Sequence, residues 1–231
     1  MLAQILTVLC AVLLFALPVH AQDASAPAPY AQAQTNFMYN LLFCDDLILF
    51  KPQDGAIPVY WQKTLLAPSP DAQTVRRIAE DGQEESRVRL LAYKWLREHS
   101  QMVPQRQLLG VLIEVARDDR QDTLAAYADG RVRYINSSEK LAVIENGSPE
   151  IGQQVQALFA SSTKLVVRIG PWNKKRLPAP AKGKVRMSFL ASDGLYFGEG
   201  SFAAIQKDTD AAQVIQDGTA LLQLVVKLSA K

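Results

Sequence analysis

A chain of 231 residues with 48% hydrophobic and 21% charged residues has an ordinary globular composition, long enough for one large domain or two small ones. Its formal charge of +2 is too mild to call for a nucleic-acid partner, so only local clusters of charge can matter.

Residues 1–21 read as a secretory signal peptide: an apolar run from Ile5 to Leu17, then Pro18, then Val19-His20-Ala21 as the cleavage site. The run is short for a membrane span. Its leading residues, Met1 to Gln4, bring no Lys or Arg, so an uncleaved anchor is the alternative, and only in that case is a membrane partner expected. Cys10 lies within this segment without the small residues that precede a lipoprotein site. Cleavage after Ala21 places the protein in the periplasm or outside the cell. It leaves one cysteine, Cys44, and one histidine, His99. An intramolecular disulfide is then impossible, a His/Cys zinc site lacks ligands, and a Ser-His-Asp or Cys-His apparatus has only His99 to use. No metal or other cofactor is called for.

Residues 22–34, built of Ala, Pro, Gln and Ser, read as a flexible linker, and residues 35–231 as a single α+β domain. Thr35 is expected to cap a short helix over residues 36–43, and residues 46–50 form a short apolar run that reads as a strand. Cys44-Asp45-Asp46 sets a thiol beside two carboxylates, which raise its pKa and suppress the reactive thiolate. Residues 51–67 read as an ordered loop packed by Tyr60 and Trp61. Ser69-Pro70-Asp71 has helix-start chemistry, with Ser69 as N-cap and Pro70 at N1, and Gly82 ends that helix. A second helix over residues 84–99 puts Val88, Leu91, Ala92, Trp95 and Leu96 on one stripe. His99 falls at its C-terminus, where a cation is favoured.

Residues 108–145 read as four strands in succession. Residues 108–116 are almost unbroken apolar sequence rich in branched residues, which predicts an interior strand covered on both faces. Asp129-Gly130 between alternating runs predicts a type I′ hairpin that sets Tyr127 opposite Val132 and Ala125 opposite Tyr134 on the buried surface, with Arg131 and Arg133 on the other. A fourth strand spans residues 140–145. Ser148-Pro149-Glu150 starts another helix with Ile151, Val155, Leu158 and Phe159 on its apolar face. Residues 164–170 read as a strand, and residues 184–191 and 195–199 as a hairpin turned by Asp193-Gly194. A last helix, residues 210–228, carries Gly218 on its apolar stripe, predicting a close approach to the sheet.

The order helix, strands, helix, strands, helix around an antiparallel sheet defines the α+β class. It is similar to the order in profilin-like and roadblock-type domains, an analogy of order that carries no function. The strings from Asn40 to Asp45 (NLLFCD), Asp129 to Asn136 (DGRVRYIN), Ile169 to Trp172 (IGPW) and Gly194 to Gly200 (GLYFGEG) together resemble an uncharacterised family of bacterial exported proteins. The resemblance covers nearly all of the chain after the linker. It implies one integral domain and supplies no catalytic residues.

Two kinds of chemistry are represented. Between Arg168 and Arg186 the cations Lys174, Lys175, Arg176, Lys182 and Lys184 occur without an acidic residue. Trp172 and three prolines stiffen that loop. Trp172, Lys174, Lys175 and Arg176 therefore suit an anionic polymer or envelope protein, against the plainer reading of solvated charge guarding a hydrophobic strand. Glu114 interrupts the most apolar strand, and burial would raise its pKa and fit it for acid or base work. Asp118, Asp119, Asp122 or Glu199 would be the second carboxylate of a glycosidase-like pair. The plainer reading is that Glu114 reaches water or pairs with Arg133 or Arg186. Gly198-Glu199-Gly200 lacks the full phosphate-loop fingerprint and reads as a strand that bends. The expectation is a non-catalytic binding or interaction domain in the cell envelope, with a carboxylate-dependent hydrolase of cell-wall material as the alternative.

Overall fold

The computed structural model describes residues 26–117, 120–145 and 147–229. The signal-peptide reading, Cys10, the first linker residues, Asp118, Asp119 and Asn146 lie outside the described residues. Six strands form one antiparallel sheet: β1 (Leu108–Arg117), β2 (Arg120–Tyr127), β3 (Val132–Ile135), β4 (Leu141–Ile144), β5 (Lys184–Ala191) and β6 (Gly194–Ser201). Their order across the sheet is β4-β3-β2-β1-β5-β6, so β1 is interior, as its apolar run predicts. Four helices precede the sheet: α1 (Ala33–Leu41), α2 (Tyr60–Leu65), α3 (Ala72–Glu80) and α4 (Ser86–Glu98). α5 (Pro149–Val166) joins β4 to β5, and α6 (Phe202–Ile205) and α7 (Thr209–Ser229) close the chain. The fold is α+β.

Helices cover both faces, and each face has its own core. On one, Val111, Ile113, Leu124, Ala126, Val132, Met187 and Phe189 meet Ile151, Val155 and Leu158 of α5 and Val214, Leu221 and Val225 of α7. On the other, Leu112, Ala125, Tyr127 and Leu190 meet Tyr39 of α1, Val75 and Ile78 of α3, and Val88, Leu91 and Leu96 of α4. Gly218 sits where α7 crosses β1. A Cβ built there would lie 2.2 Å from Ile113 Cδ1, so the helix reaches its packing distance only because that position has no side chain. Ser148 caps α5 through Ile151 N, with proline in the first turn. His99 caps α4, its ring stacked on Trp95 at 3.8 Å.

Several local expectations are corrected. The hairpin at Asp129-Gly130 is a three-residue loop: Tyr127 N donates to Arg131 O, Gly130 N donates to Tyr127 O, and Gly130 is at φ +85 while Asp129 is not in the positive-φ region. The pairing is therefore Ala126 with Val132 and Ala125 with Arg133, one residue away from the two-residue turn. A slip of one exchanges the faces: Val132 and Tyr134 point to α5 and α7, and Arg133 joins Tyr127 on the other side. The second hairpin turns tightly on Ser192 and Asp193, with Ala191 paired to Gly194.

Residues 164–170 are not a strand. α5 runs on to Val166 because Leu158 and Leu165 stay on its buried stripe, and the β-branched run Val166-Val167 follows the helix instead of breaking it. The run Leu47–Phe50 is a 3-10 helix, with Asp46 accepting from Ile48 N. Residues 51–67 contain α2, whose Trp61 packs edge-on against Phe50. α3 is capped by Asp71, whose side chain accepts from Thr74 N, and not by Ser69. The linker expectation fails from Tyr30 onward. Tyr30 is buried, its hydroxyl shares a 2.8 Å hydrogen bond with Thr123 Oγ1 of β2, and the N–H groups of Ala31 and Gln32 donate to the Glu139 carboxylate. One aromatic is enough to fasten an otherwise unstructured composition to the sheet. Among the described residues, no helix is long and apolar enough to cross a membrane.

Candidate functional site

Alternation along the strands sets a row of polar side chains across the sheet, beneath α1. Thr123 of β2 lies opposite Glu114 of β1, Glu114 opposite Arg186 of β5, and Arg186 opposite Glu199 of β6. All but Glu199 are buried. Cross-strand neighbours of opposite sign attract, and the row alternates in sign from Glu114 to Glu199. Arg186 commits Nε and Nη2 to one oxygen of Glu199, at 2.9 and 2.6 Å.

Glu114 is fully enclosed, at 0% exposure. Its Oε1 accepts from Tyr39 Oη at 2.6 Å and from Gln121 Nε2 at 3.2 Å, while Oε2 has no partner. Burial holds the Glu114 carboxyl above the usual glutamate range; the Tyr39 hydroxyl and the Arg186 and Arg176 charges offset that only in part. The Tyr39 hydroxyl is in turn pushed well up, by its own burial and by Glu114. Glu114 thus does not reach water or Arg133. Arg133 instead pairs with Glu145.

The Trp172 loop closes this layer from the β6 side. Trp172 N donates to Leu195 O at 2.6 Å, extending the sheet by one bridge, and its ring meets Phe197 edge-on at 5.1 Å. Trp172 Nε1 donates to Lys175 O. The Arg176 side chain is 11% exposed. It gives Nε to Asp45 at 2.5 Å and Nη2 to Asn40 Oδ1 at 2.7 Å, and its guanidinium lies 4.0 Å from the Phe43 ring centroid. The sequence grouped Arg176 with exposed cations; it is instead an internal anchor between loop and α1. Lys174 and Lys175 are exposed, and Lys174 Nζ sits 5.5 Å from the Trp172 ring centroid.

Two small cavities open here. One, of about 10 Å³, is bounded by Tyr39, Phe43, Arg176, Arg186, Ser188 and Phe197 and has room for about one water. The other, of about 50 Å³, lies between Phe43, Asp45, Arg97, Arg176 and the β5–β6 turn. Both fall far below the roughly 300 to 1,000 Å³ of a small-molecule site. Neither carboxylate proposed for acid–base work lines them. Cys44 is buried and its thiol is pushed far up by desolvation, so it is no nucleophile. Among the described residues, no group of three or more His, Cys, Asp or Glu side chains is placed to hold a metal ion.

Sequence reasoning missed Tyr39, Asn40, Asp45 and Arg97 as partners in this layer. Asn36 and Asn40, one turn apart on α1, were the available signal. Asn36 clasps Tyr30 through both its N and its O, at 2.8 and 2.7 Å, and Asn40 takes the Arg176 guanidinium. Asparagines in a helix interior are poor helix formers, so two on one face mark side chains held there by tertiary bonds. The site and fold together define an α+β domain with a sealed charge layer on one sheet face. Compared with protein-family models and with curated proteins, the chain matches none.

Proposed function

We propose that this is an exported envelope protein, cleaved after Ala21, whose α+β domain is a non-catalytic binding module for an anionic polymer or an acidic envelope partner. The observation that carries this reading is the pinned Trp172 loop, which presents Lys174 and Lys175 to solvent while Trp172 and Arg176 are fastened beneath. Two ammonium groups on a fixed backbone lose little freedom on binding. The hydrolase reading has less support, since Glu114 is out of reach of any substrate and Glu199 is neutralised by Arg186. Recognition then depends on exposed charge, which salt screens over about 10 Å at 0.1 M.

The test is the affinity of the full chain for inorganic polyphosphate at two salt concentrations, beside the Lys174→Ala/Lys175→Ala variant. Binding that weakens with salt and drops in the variant supports the reading. Equal affinity in both proteins overturns it. Mass spectrometry of the protein recovered from the envelope or medium decides export: a mature N-terminus after Ala21 is expected, and an intact Met1 contradicts it.

A further inference from the structure

Arg97, in the last turn of α4, is unlike the other arginines on this side of the sheet. Arg133, Arg176 and Arg186 each meet a carboxylate, of Glu145, Asp45 and Glu199. Arg97 donates Nη1 to the backbone oxygen of Ser192 at 2.6 Å and has no carboxylate within ion-pair distance among the described residues. Glu98 and Asp193 act on it only from farther away, and burial lowers its pKa. A guanidinium withdrawn from water without a counter-charge is costly.

Arg97 borders the 50 Å³ cleft, opposite Arg176. Arg176 Nη1 and Asp45 Oδ1 are buried there with no hydrogen-bond partner. The charged side chains lining the cleft are Arg97, Arg176 and Asp45; Asp45 is already matched by Arg176, which leaves one positive charge in excess. The Asp45 side chain is 38% exposed, so the cleft reaches the surface. Its volume is a few waters' worth, the size of one charged group and not of a whole substrate.

From this geometry we infer that the cleft between Arg97 and Arg176 is a binding site for a single oxyanion group, a carboxylate or a phosphate. Arg97 has spent one donor on Ser192, and its fork is suited to gripping two oxygens at once. The anion would supply the missing counter-charge, with Gly194 allowing close approach at the turn. Two sources share this chemistry: a free inorganic anion, or a carboxylate carried by a partner chain. The site does not depend on recognition by Lys174 and Lys175, and either can fail alone.

Thermal unfolding of the full chain at constant ionic strength tests it, with sodium phosphate, sodium acetate, and a short neutral peptide bearing a free C-terminal carboxylate, each compared with sodium chloride. A concentration-dependent rise in Tm is expected, because a ligand of the native state stabilises it by mass action. Arg97→Gln should abolish the rise and Lys175→Ala should keep it. Should Arg97→Gln fail to fold, Arg97→Lys retains the charge without the fork and should bind roughly tenfold more weakly. Stabilisation by the peptide but not by its C-terminal amide identifies a partner's carboxylate, and stabilisation by phosphate alone identifies a free anion. No rise beyond chloride with any of them, or an undiminished rise in the Arg97 variants, overturns the site.

Discussion

The two faces of the sheet are both covered and both buried, but they are built from different materials. The face under α5 and α7 is apolar from edge to edge around β1, with Ile113, Met187 and Phe189 against the helices, and a glycine at the closest crossing. The face under α1 has an apolar half, where α3 and α4 pack, and a polar half in which Glu114, Gln121, Thr123, Arg186 and Ser188 are all buried. An apolar layer tolerates loss of a contact in proportion to the volume removed. A charged layer holds only while every member keeps its partner. The first face carries stability, and the second carries specificity of arrangement, because Tyr30, Tyr39 and Arg176 reach it from segments far apart in the chain.

Substitutions can break this contrast. The largest effect is expected on the apolar face: Phe189 is fully buried, and Phe189→Ala should cost about 3 to 5 kcal/mol in chemical denaturation, with the denaturant slope unchanged. On the polar face, Arg186→Met should cost about 2 to 3 kcal/mol, less than the roughly 3 to 5 kcal/mol of breaking a fully buried pair, because Glu199 can rehydrate. The double variant Arg186→Met/Glu199→Gln should recover most of that loss, an interaction a double-mutant cycle reads directly. Purely additive losses would mean that the row is packing and not charge. The smallest effect is expected from Lys174→Ala and Lys175→Ala, exposed side chains whose removal should change stability by about 0.5 kcal/mol or less. A larger loss would make the loop's surface part of the scaffold.

Much of the apolar face was legible in the sequence, because its cause is local. The β1 run, the bounds of β5 and the placing of Gly218 all follow from period and propensity. The polar face was legible only in pieces. Glu114 is conspicuous in an apolar run, but its partner Tyr39 lies 75 residues away, and Arg176 meets Asp45 across 131 residues. A cation in a loop looks solvated until its partner is known. Tyr30 vanished into a Pro- and Ala-rich stretch for the same reason. The slip at Asp129-Gly130 has a local cause that sequence does not resolve: a two-residue turn and a three-residue loop with glycine last share the same dipeptide. Choosing between them moved Arg133 from one face to the other.

The central claim is that Glu114 belongs to a sealed structural layer, and its titration tests that most directly. Burial raises its native pKa above the ordinary value of 4.5, so the native state binds that proton more tightly than the unfolded chain does. The stabilisation this gives is complete below the unfolded value and is lost as pH rises toward the native one. Glu114→Gln, which keeps an acceptor for Tyr39 and Gln121, should remove that decline. Carbon-13 NMR of the side-chain carboxyl should therefore give a Glu114 midpoint above 4.5 that is absent from the Gln variant. A midpoint at or below 4.5 would show a carboxylate in contact with water, and would contradict the sealed layer.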